Sequence, residues 1–130
     1  MIYKLLPPND ERVLSSIVPF DMEEFKKQEK IGITEFCNNM FETMKNYGGI
    51  GLSANQVGLP FRMFIMGGHP QIDNGRVRSV FNPLINDVSE ETVAMKEGCL
   101  SFLVLVFLPL CHPCKVFIFF KLHYSRELIY

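Results

Sequence analysis

The chain changes character abruptly at Phe102, and this change limits how much of it can form an ordinary globular domain. Residues 1–101 mix charged, apolar and glycine residues, whereas residues 102–124 contain no acidic residue and no glycine. All nine glycines lie at or before Gly98. Such a break is typical of a domain boundary, a membrane segment or a reading-frame error. We therefore expect one domain over residues 1–101 and a divergent apolar tail over residues 102–130, with a frameshift as the favoured explanation.

The length and net charge of the chain limit the kinds of function that it can have. A chain of 130 residues is large enough for one domain with a genuine core. A net charge of −1, with both signs interspersed, gives no field that would hold nucleic acid or an anionic membrane. The first 30 residues have no basic segment followed by an apolar run, so they do not have the form of a secretory signal. We expect a cytoplasmic protein whose four cysteines stay reduced.

Local patterns predict helices in the N-terminal part of the chain. Asp21, with Glu24 three residues later, has the form of a capping box for a short helix that Gly32 can end. A second helix is predicted to begin at the cap Thr34 and to end in a left-handed turn at the following glycine pair. Its apolar face comprises Phe36, Met40, Phe41, Met44 and Tyr47, and the glycine pair is Gly48 and Gly49.

The next segment predicts antiparallel sheet. Residues 61–66 have the composition of a strand, and Asp73–Gly75 forms a tight turn into a second strand that contains Val80. Asn82 and Pro83 close that strand, and extended structure follows up to residue 96. The predicted fold class is therefore α+β, with N-terminal helices and an antiparallel β-sheet.

Two short segments have the form of a functional site. Residues 49–56 read GIGLSANQ and residues 97–101 read EGCLS. The first segment also matches the GxGxxA form of a dinucleotide-binding loop, but that loop should follow a strand and open a helix. Here it follows an amphipathic helix and runs toward a strand, so dinucleotide binding is disfavoured. Standing alone, the segment would equally fit a glycine turn that joins helix to sheet.

Together and in this order, the two segments resemble the first and second signatures of the peptide deformylases, which remove the formyl group from the N-terminal methionine of new polypeptides. The resemblance covers roughly residues 1–102 and implies a deformylase-like fold. It also implies a substrate, N-formyl-methionyl peptide, with ribosome-associated nascent chains as its source. The implied cofactor is Fe(II), replaceable by nickel, cobalt or zinc.

The resemblance also implies roles for individual residues. Gln56 and the backbone N–H of Leu100 would be the catalytic oxyanion donors, and Cys99 would bind the metal as a thiolate. The backbone of Ile50, Gly51 and Gly98 would bind the substrate in an extended form. A glutamine amide is chemically suited to this role, because it can donate a hydrogen bond to a developing oxyanion. A cysteine taken singly is more often a small buried core residue.

The third signature of the family, a helix with the sequence HExxH, does not occur in this sequence. That helix supplies two histidine ligands and a glutamate base, and a catalytic divalent metal needs about three protein ligands. One thiolate alone does not hold such a metal. We therefore expect a deformylase-like metal hydrolase that is impaired or inactive in this chain. The alternative is a non-catalytic remnant that binds peptide or associates with a membrane through its apolar tail.

The tail offers weak substitutes for the missing ligands. Residues 111–114 read CHPC, but no second CxxC pair completes a tetrahedral site, and His69 is expected to be a surface loop residue. His123 and Glu127 do not have the HExxH spacing. Residues 102–120 are long enough to cross a bilayer, but two prolines, a histidine and a lysine interrupt them. Residues 116–120 have the composition of a buried strand instead.

Overall fold

The computed structural model describes residues 1–70, 73–91 and 99–101, with only the backbone of 73, 86 and 88, together with the backbone of 92–96, 109–113 and 116–120. Helices α1 (Glu11–Leu14), α2 (Met22–Gln28) and α3 (Ile33–Asn46) precede most of the sheet, as predicted. A short strand between α1 and α2, together with the strands after α3, confirms the α+β class. They are β1 (Val18–Pro19), β2 (Gly51–Ser53), β3 (Phe61–Gly67), β4 (Val77–Phe81), β5 (Pro83–Val88), β6 (Thr92–Lys96), β7 (Pro109–Pro113) and β8 (Val116–Phe120).

Helix α2 begins where the capping pattern predicts. The Asp21 carboxylate accepts hydrogen bonds from the backbone N–H groups of Glu23 and Glu24, at 2.9 and 3.0 Å. The predicted end was wrong, because the helix stops at Gln28. Gly32 instead lies at the start of the next helix, where its extended backbone precedes the first turn.

Helix α3 carries most of the predicted apolar face but begins two residues earlier than predicted, with Gly32 rather than Thr34 at its N-cap. Its first residue is Ile33, so Thr34 lies within the first turn and the prediction that it caps the helix was wrong. Phe36, Met40 and Met44 are fully buried. Tyr47 of the predicted face lies just past the helix and is 40% exposed, so its assignment to the buried face was wrong. Gly48 has a φ of +71°, which confirms a left-handed residue just past the helix.

Strand β3 is central to the N-terminal sheet. It pairs antiparallel with β2 on one side and with β4 on the other, and its first residues pair parallel with β1. The turn into β4 occurs at Asp73–Gly75, as predicted, and Asn74 adopts a left-handed conformation with a φ of 54°. Alternate residues Phe61, Met63 and Ile65 of β3 are buried. This alternation is that of a strand with one face on the core.

Strands β5 to β8 form two antiparallel pairs, and the inner pair is nested between the strands of the outer pair along the chain. β5 pairs with β8 and β6 pairs with β7, with Lys96 opposite Pro109. The prediction of extended structure up to residue 96 is confirmed, as is the strand at 116–120. The backbone of the tail therefore pairs with the segment that precedes the second signature. The division of the chain at residue 101 stays a prediction.

The core lies between α2, α3 and the N-terminal sheet. Its buried residues include Leu52 and Ala54, which belong to the first signature, so that signature is anchored in the core. Phe20 links the aromatic part of the core to the sheet, with ring centroids 5.5 Å from Phe61 and 4.7 Å from Phe81. Within the described part of the chain, no helix is both long and apolar enough to cross a membrane.

Candidate active site

The first signature begins on the connection from α3 to β2 and continues through β2 into the turn that follows. Ile50 is 54% exposed, and its carbonyl accepts a hydrogen bond from Gly67 N at 3.0 Å. Gly51 begins β2 opposite Met66 of β3. Among the described strands, β2 pairs only with β3, so its outer edge is open. A connection from helix to strand confirms that this glycine segment lacks the strand–loop–helix context of a dinucleotide-binding loop.

A 3-10 turn, Ala54–Val57, follows β2 and carries Gln56. The Gln56 Oε1 atom accepts a hydrogen bond from Ser53 N at 2.9 Å, and the Gln56 carbonyl accepts one from Leu6 N at 2.9 Å. Gly58 ends the turn with a φ of 90°, a conformation that favours glycine. The backbone and the side chain of Gln56 are therefore both tied to neighbouring segments.

The segment around α1, which precedes this turn in the sequence, contacts it and supports it. Asn55 Nδ2 donates a hydrogen bond to the Val13 carbonyl at 3.1 Å. Helix α1 is itself capped by Asp10, whose carboxylate accepts from the backbone and the guanidinium of Arg12. These hydrogen bonds lower the pKa of Asp10 to about 2. The carboxylate is therefore ionised at neutral pH and keeps the cap in place.

The second signature meets the first through Gln56. Gln56 Nε2 lies 3.1 Å from Ser101 Oγ and 3.8 Å from Cys99 Sγ. Cys99 is exposed, whereas Ser101 is buried. The structure thus brings together the predicted oxyanion donor Gln56 and the predicted metal ligand Cys99, which are 43 residues apart in the chain.

Leu100 makes a second contact between the two signatures. Its side chain packs against the core and lies directly over Gly49, where a Cβ atom would overlap Leu100 Cδ1. A side chain at position 49 would therefore have to displace the Leu100 side chain. This contact fixes the turn that carries Cys99 against the first signature.

The described residues provide few candidate metal ligands. No cluster of three or more histidine, cysteine, aspartate or glutamate side chains occurs in the part of the chain that the structure describes. His69 is exposed in the bend after β3, as predicted. The backbone of Cys111 and His112 lies in strand β7. Gly98, Cys114, His123 and Glu127 lie outside the described residues.

Two serines of the site were not predicted as functional. Ser53 holds Gln56 Oε1 through its backbone N–H, and Ser101 faces Gln56 Nε2. The spacing of Ser53 and Gln56 is that of a capping box, S-x-x-Q, so the sequence did contain a signal for the first contact. No local pattern marks Ser101, because its partner is 45 residues away.

Comparisons with known proteins agree with this arrangement. The model of the polypeptide deformylase family matches residues 6–106. Peptide deformylase 1 of Corynebacterium efficiens is 45% identical over 69 residues, which cover 53% of this chain and 40% of that protein. The peptide deformylase of Fusobacterium nucleatum is 32% identical over 101 residues, which cover 78% of this chain and 53% of that protein. The chain thus spans about half the length of these curated relatives.

Solved structures give the same result. The crystal structure of peptide deformylase from Thermotoga maritima superposes with a TM-score of 0.74 at 30% identity, covering 92% of this chain and 74% of that one. The peptide deformylase of Ehrlichia chaffeensis, solved in complex with actinonin, superposes with a TM-score of 0.73 at 28% identity, covering 92% of this chain and 67% of that one. The family model, the curated relatives and the folds agree, and this chain belongs to the polypeptide deformylase family.

Proposed function

We propose that this chain recognises N-formyl-methionyl peptides as the N-terminal half of a metal-dependent deformylase, and that by itself it binds such peptides without hydrolysing them. The observation that carries the proposal is the position of the Gln56 amide in the turn that follows β2, where it lies 3.8 Å from the sulfur of the exposed Cys99. Among the described strands, β2 pairs only with β3. Nascent polypeptides leaving the ribosome in the cytosol are the proposed source of the substrate.

The proposed roles divide between side chains and backbone. Gln56 and the Leu100 N–H would donate hydrogen bonds to the formyl oxygen, which becomes an oxyanion during hydrolysis. The backbone of Ile50, Gly51 and Gly98 would hold the peptide as an added strand, because an open strand edge offers paired donors and acceptors to an extended chain. Supporting this role, β2 has an open outer edge among the described strands.

A complete metal centre does not fit the described residues. Cys99 offers one sulfur ligand, and no three candidate ligands cluster among the residues that the structure describes. Fe(II), nickel, cobalt or zinc in a catalytic site needs about three protein ligands and an open position. We therefore assign the hydrolytic step to the complete enzyme, whose HExxH helix this sequence lacks.

Binding of formylated peptide to the purified chain tests the proposal. We expect formyl-Met-Ala-Ser to bind more tightly than Met-Ala-Ser in calorimetry. Gln56→Glu keeps an oxygen for Ser53 N but removes the donor, and Gln28→Glu, on the exposed face of α2, is the matched control. Losing one hydrogen bond of about 1 kcal/mol should weaken binding of the formylated peptide by roughly fivefold. Equal affinity for both peptides would contradict formyl recognition.

Metal content and turnover test the second half of the proposal. We expect iron, nickel or zinc to be lost on desalting and no free amine to be released from formyl-Met-Ala-Ser. Stoichiometric metal with turnover would mean that the chain hydrolyses its substrate after all. If Cys99→Ala then left that turnover unchanged, Cys99 would not be the metal ligand.

A further inference from the structure

We propose that Ser101 is a positioning residue, which holds the side-chain amide of Gln56 in one orientation so that its second N–H faces the open side of the site. This inference rests on the proposed function, since it concerns the group that would bind the formyl oxygen. It adds a residue to which neither the sequence pattern nor the family resemblance gave a role.

Two contacts define the orientation of the amide. Ser53 N, a group that can only donate, lies 2.9 Å from Gln56 Oε1. At the other end, Gln56 Nε2 lies 3.1 Å from Ser101 Oγ. A flipped amide would set Nε2 against the Ser53 N–H, two donors facing each other. The oxygen and nitrogen positions are therefore distinguished by their partners.

The two hydrogens of Gln56 Nε2 then have different surroundings. One is directed to the hydroxyl of Ser101, a residue with 6% of its surface exposed. The other is left for Cys99 Sγ at 3.8 Å, and a thiol sulfur is a weak acceptor. Because Cys99 is exposed, a carbonyl oxygen entering from solvent can replace this weak contact.

Burial of Ser101 strengthens the case that its hydrogen bond with Gln56 positions the amide. A polar group shut away from water costs free energy when it lacks a hydrogen-bond partner, so the Gln56 amide and the Ser101 hydroxyl are held to one another. A donor fixed before the substrate arrives needs no reorganisation when charge develops on the formyl oxygen. Ser101 would thus act through Gln56, without touching the substrate.

The side-chain resonances of Gln56 in an amide NMR spectrum test this role directly. The chain has three glutamines, and the Gln56 pair is identified by its loss in Gln56→Glu. We expect two well-separated proton shifts, one of them from a slowly exchanging proton. In Ser101→Ala, loss of one hydrogen bond should speed exchange of that proton roughly two- to tenfold and bring the two shifts together. Ser101→Thr keeps a hydroxyl and should restore the native pattern.

Controls separate positioning from general loosening. Ser89→Ala removes another serine hydroxyl, one that donates to Glu91 O at 2.9 Å on the exposed surface, and should leave the Gln56 resonances unchanged. If Ser101→Ala does not fold, Ser101→Cys replaces the hydroxyl with a weaker, nearly isosteric group and should give the same change. Unaltered Gln56 shifts and exchange in a folded Ser101→Ala or Ser101→Cys variant would overturn the proposal.

Titration with peptide distinguishes this proposal from the proposed function. Formyl-Met-Ala-Ser should shift the faster-exchanging Gln56 proton of the native chain, whereas Met-Ala-Ser should not. If the serine variants alter the resonances but no peptide does, the positioning role stands and formyl recognition fails. If the formylated peptide shifts the proton equally in the native chain and in Ser101→Ala, with the same affinity, Ser101 has no positioning role.

Discussion

Asn82 and Phe20 exchange two hydrogen bonds across 62 residues of sequence. Asn82 Oδ1 accepts from Phe20 N at 2.6 Å, and Asn82 Nδ2 donates to Phe20 O at 2.9 Å. The asparagine side chain thus imitates a strand backbone, and its own backbone adopts a φ of 50° to do so. This pair joins the segment before α2 to the end of β4, where the aromatic part of the core begins.

Replacing Asn82 should therefore destabilise the domain. Asn82→Ala removes both hydrogen bonds, each worth about 1 kcal/mol, and forces alanine into a left-handed conformation that costs a further 1–2 kcal/mol or so. We expect the free energy of unfolding in urea to fall by about 3 kcal/mol in total. Glycine in Asn82→Gly adopts the left-handed conformation without this cost, so the free energy of unfolding should fall by less. Similar values for the two variants would show that the backbone angle contributes nothing.

The contact between Gly49 and Leu100 predicts a coupled pair of substitutions. A Cβ at Gly49 would overlap the Leu100 side chain, so Gly49→Ala should destabilise the domain by about 1–3 kcal/mol, as overpacking does. In a Leu100→Ala background the same substitution should cost much less, because the overlapping atoms are gone. Urea denaturation of the four proteins in this cycle measures the coupling. Additive effects would contradict the contact.

The thiol of Cys37 predicts a loss of stability at alkaline pH. Burial raises the pKa of Cys37 above its ordinary value of 9.0, while a hydrogen bond with Ser79 lowers it by less. As the pH rises, the thiol of the unfolded chain therefore loses its proton before that of the folded chain. The contribution of the protonated Cys37 to the free energy of unfolding is complete below pH 9 and is lost as the pH rises through the folded pKa. The free energy of unfolding, measured from pH 8 to 10.5, should fall more steeply in the native chain than in Cys37→Ala. Parallel curves would exclude a contribution from this thiol.

Exposure separates the reactivities of Cys99 and Cys37. Cys99 is exposed and Cys37 is half-buried, so iodoacetamide should label Cys99 before Cys37. Peptide mapping by mass spectrometry locates the label, and Cys99→Ala should abolish that product. Bound formyl-Met-Ala-Ser should slow labelling of Cys99 but leave Cys37 unaffected. Equal protection of both thiols would indicate a general effect of peptide on the fold.

Patterns within a few residues predicted much of the N-terminal architecture. The Asp21 cap, the buried face of α3 and the turn at Asp73–Gly75 each depend on neighbours in the same segment, and each is present. Predicted ends were less accurate. Thr34 does not cap α3 and Gly32 does not end α2, since Gly32 itself takes the N-cap position of α3. Local propensity is a weak guide to helix ends, because tertiary context overrides it.

The sequence by itself determined the fold class, the two signatures and therefore the family. Tertiary structure alone decided that Gln56 faces both Cys99 and Ser101, that Leu100 covers Gly49, and that the tail backbone pairs with β5 and β6. The physical reason is separation along the chain. Caps and turns form between residues a few positions apart, whereas contacts between distant segments, such as the 43 residues that separate Gln56 from Cys99, exist only once the chain has closed around its core.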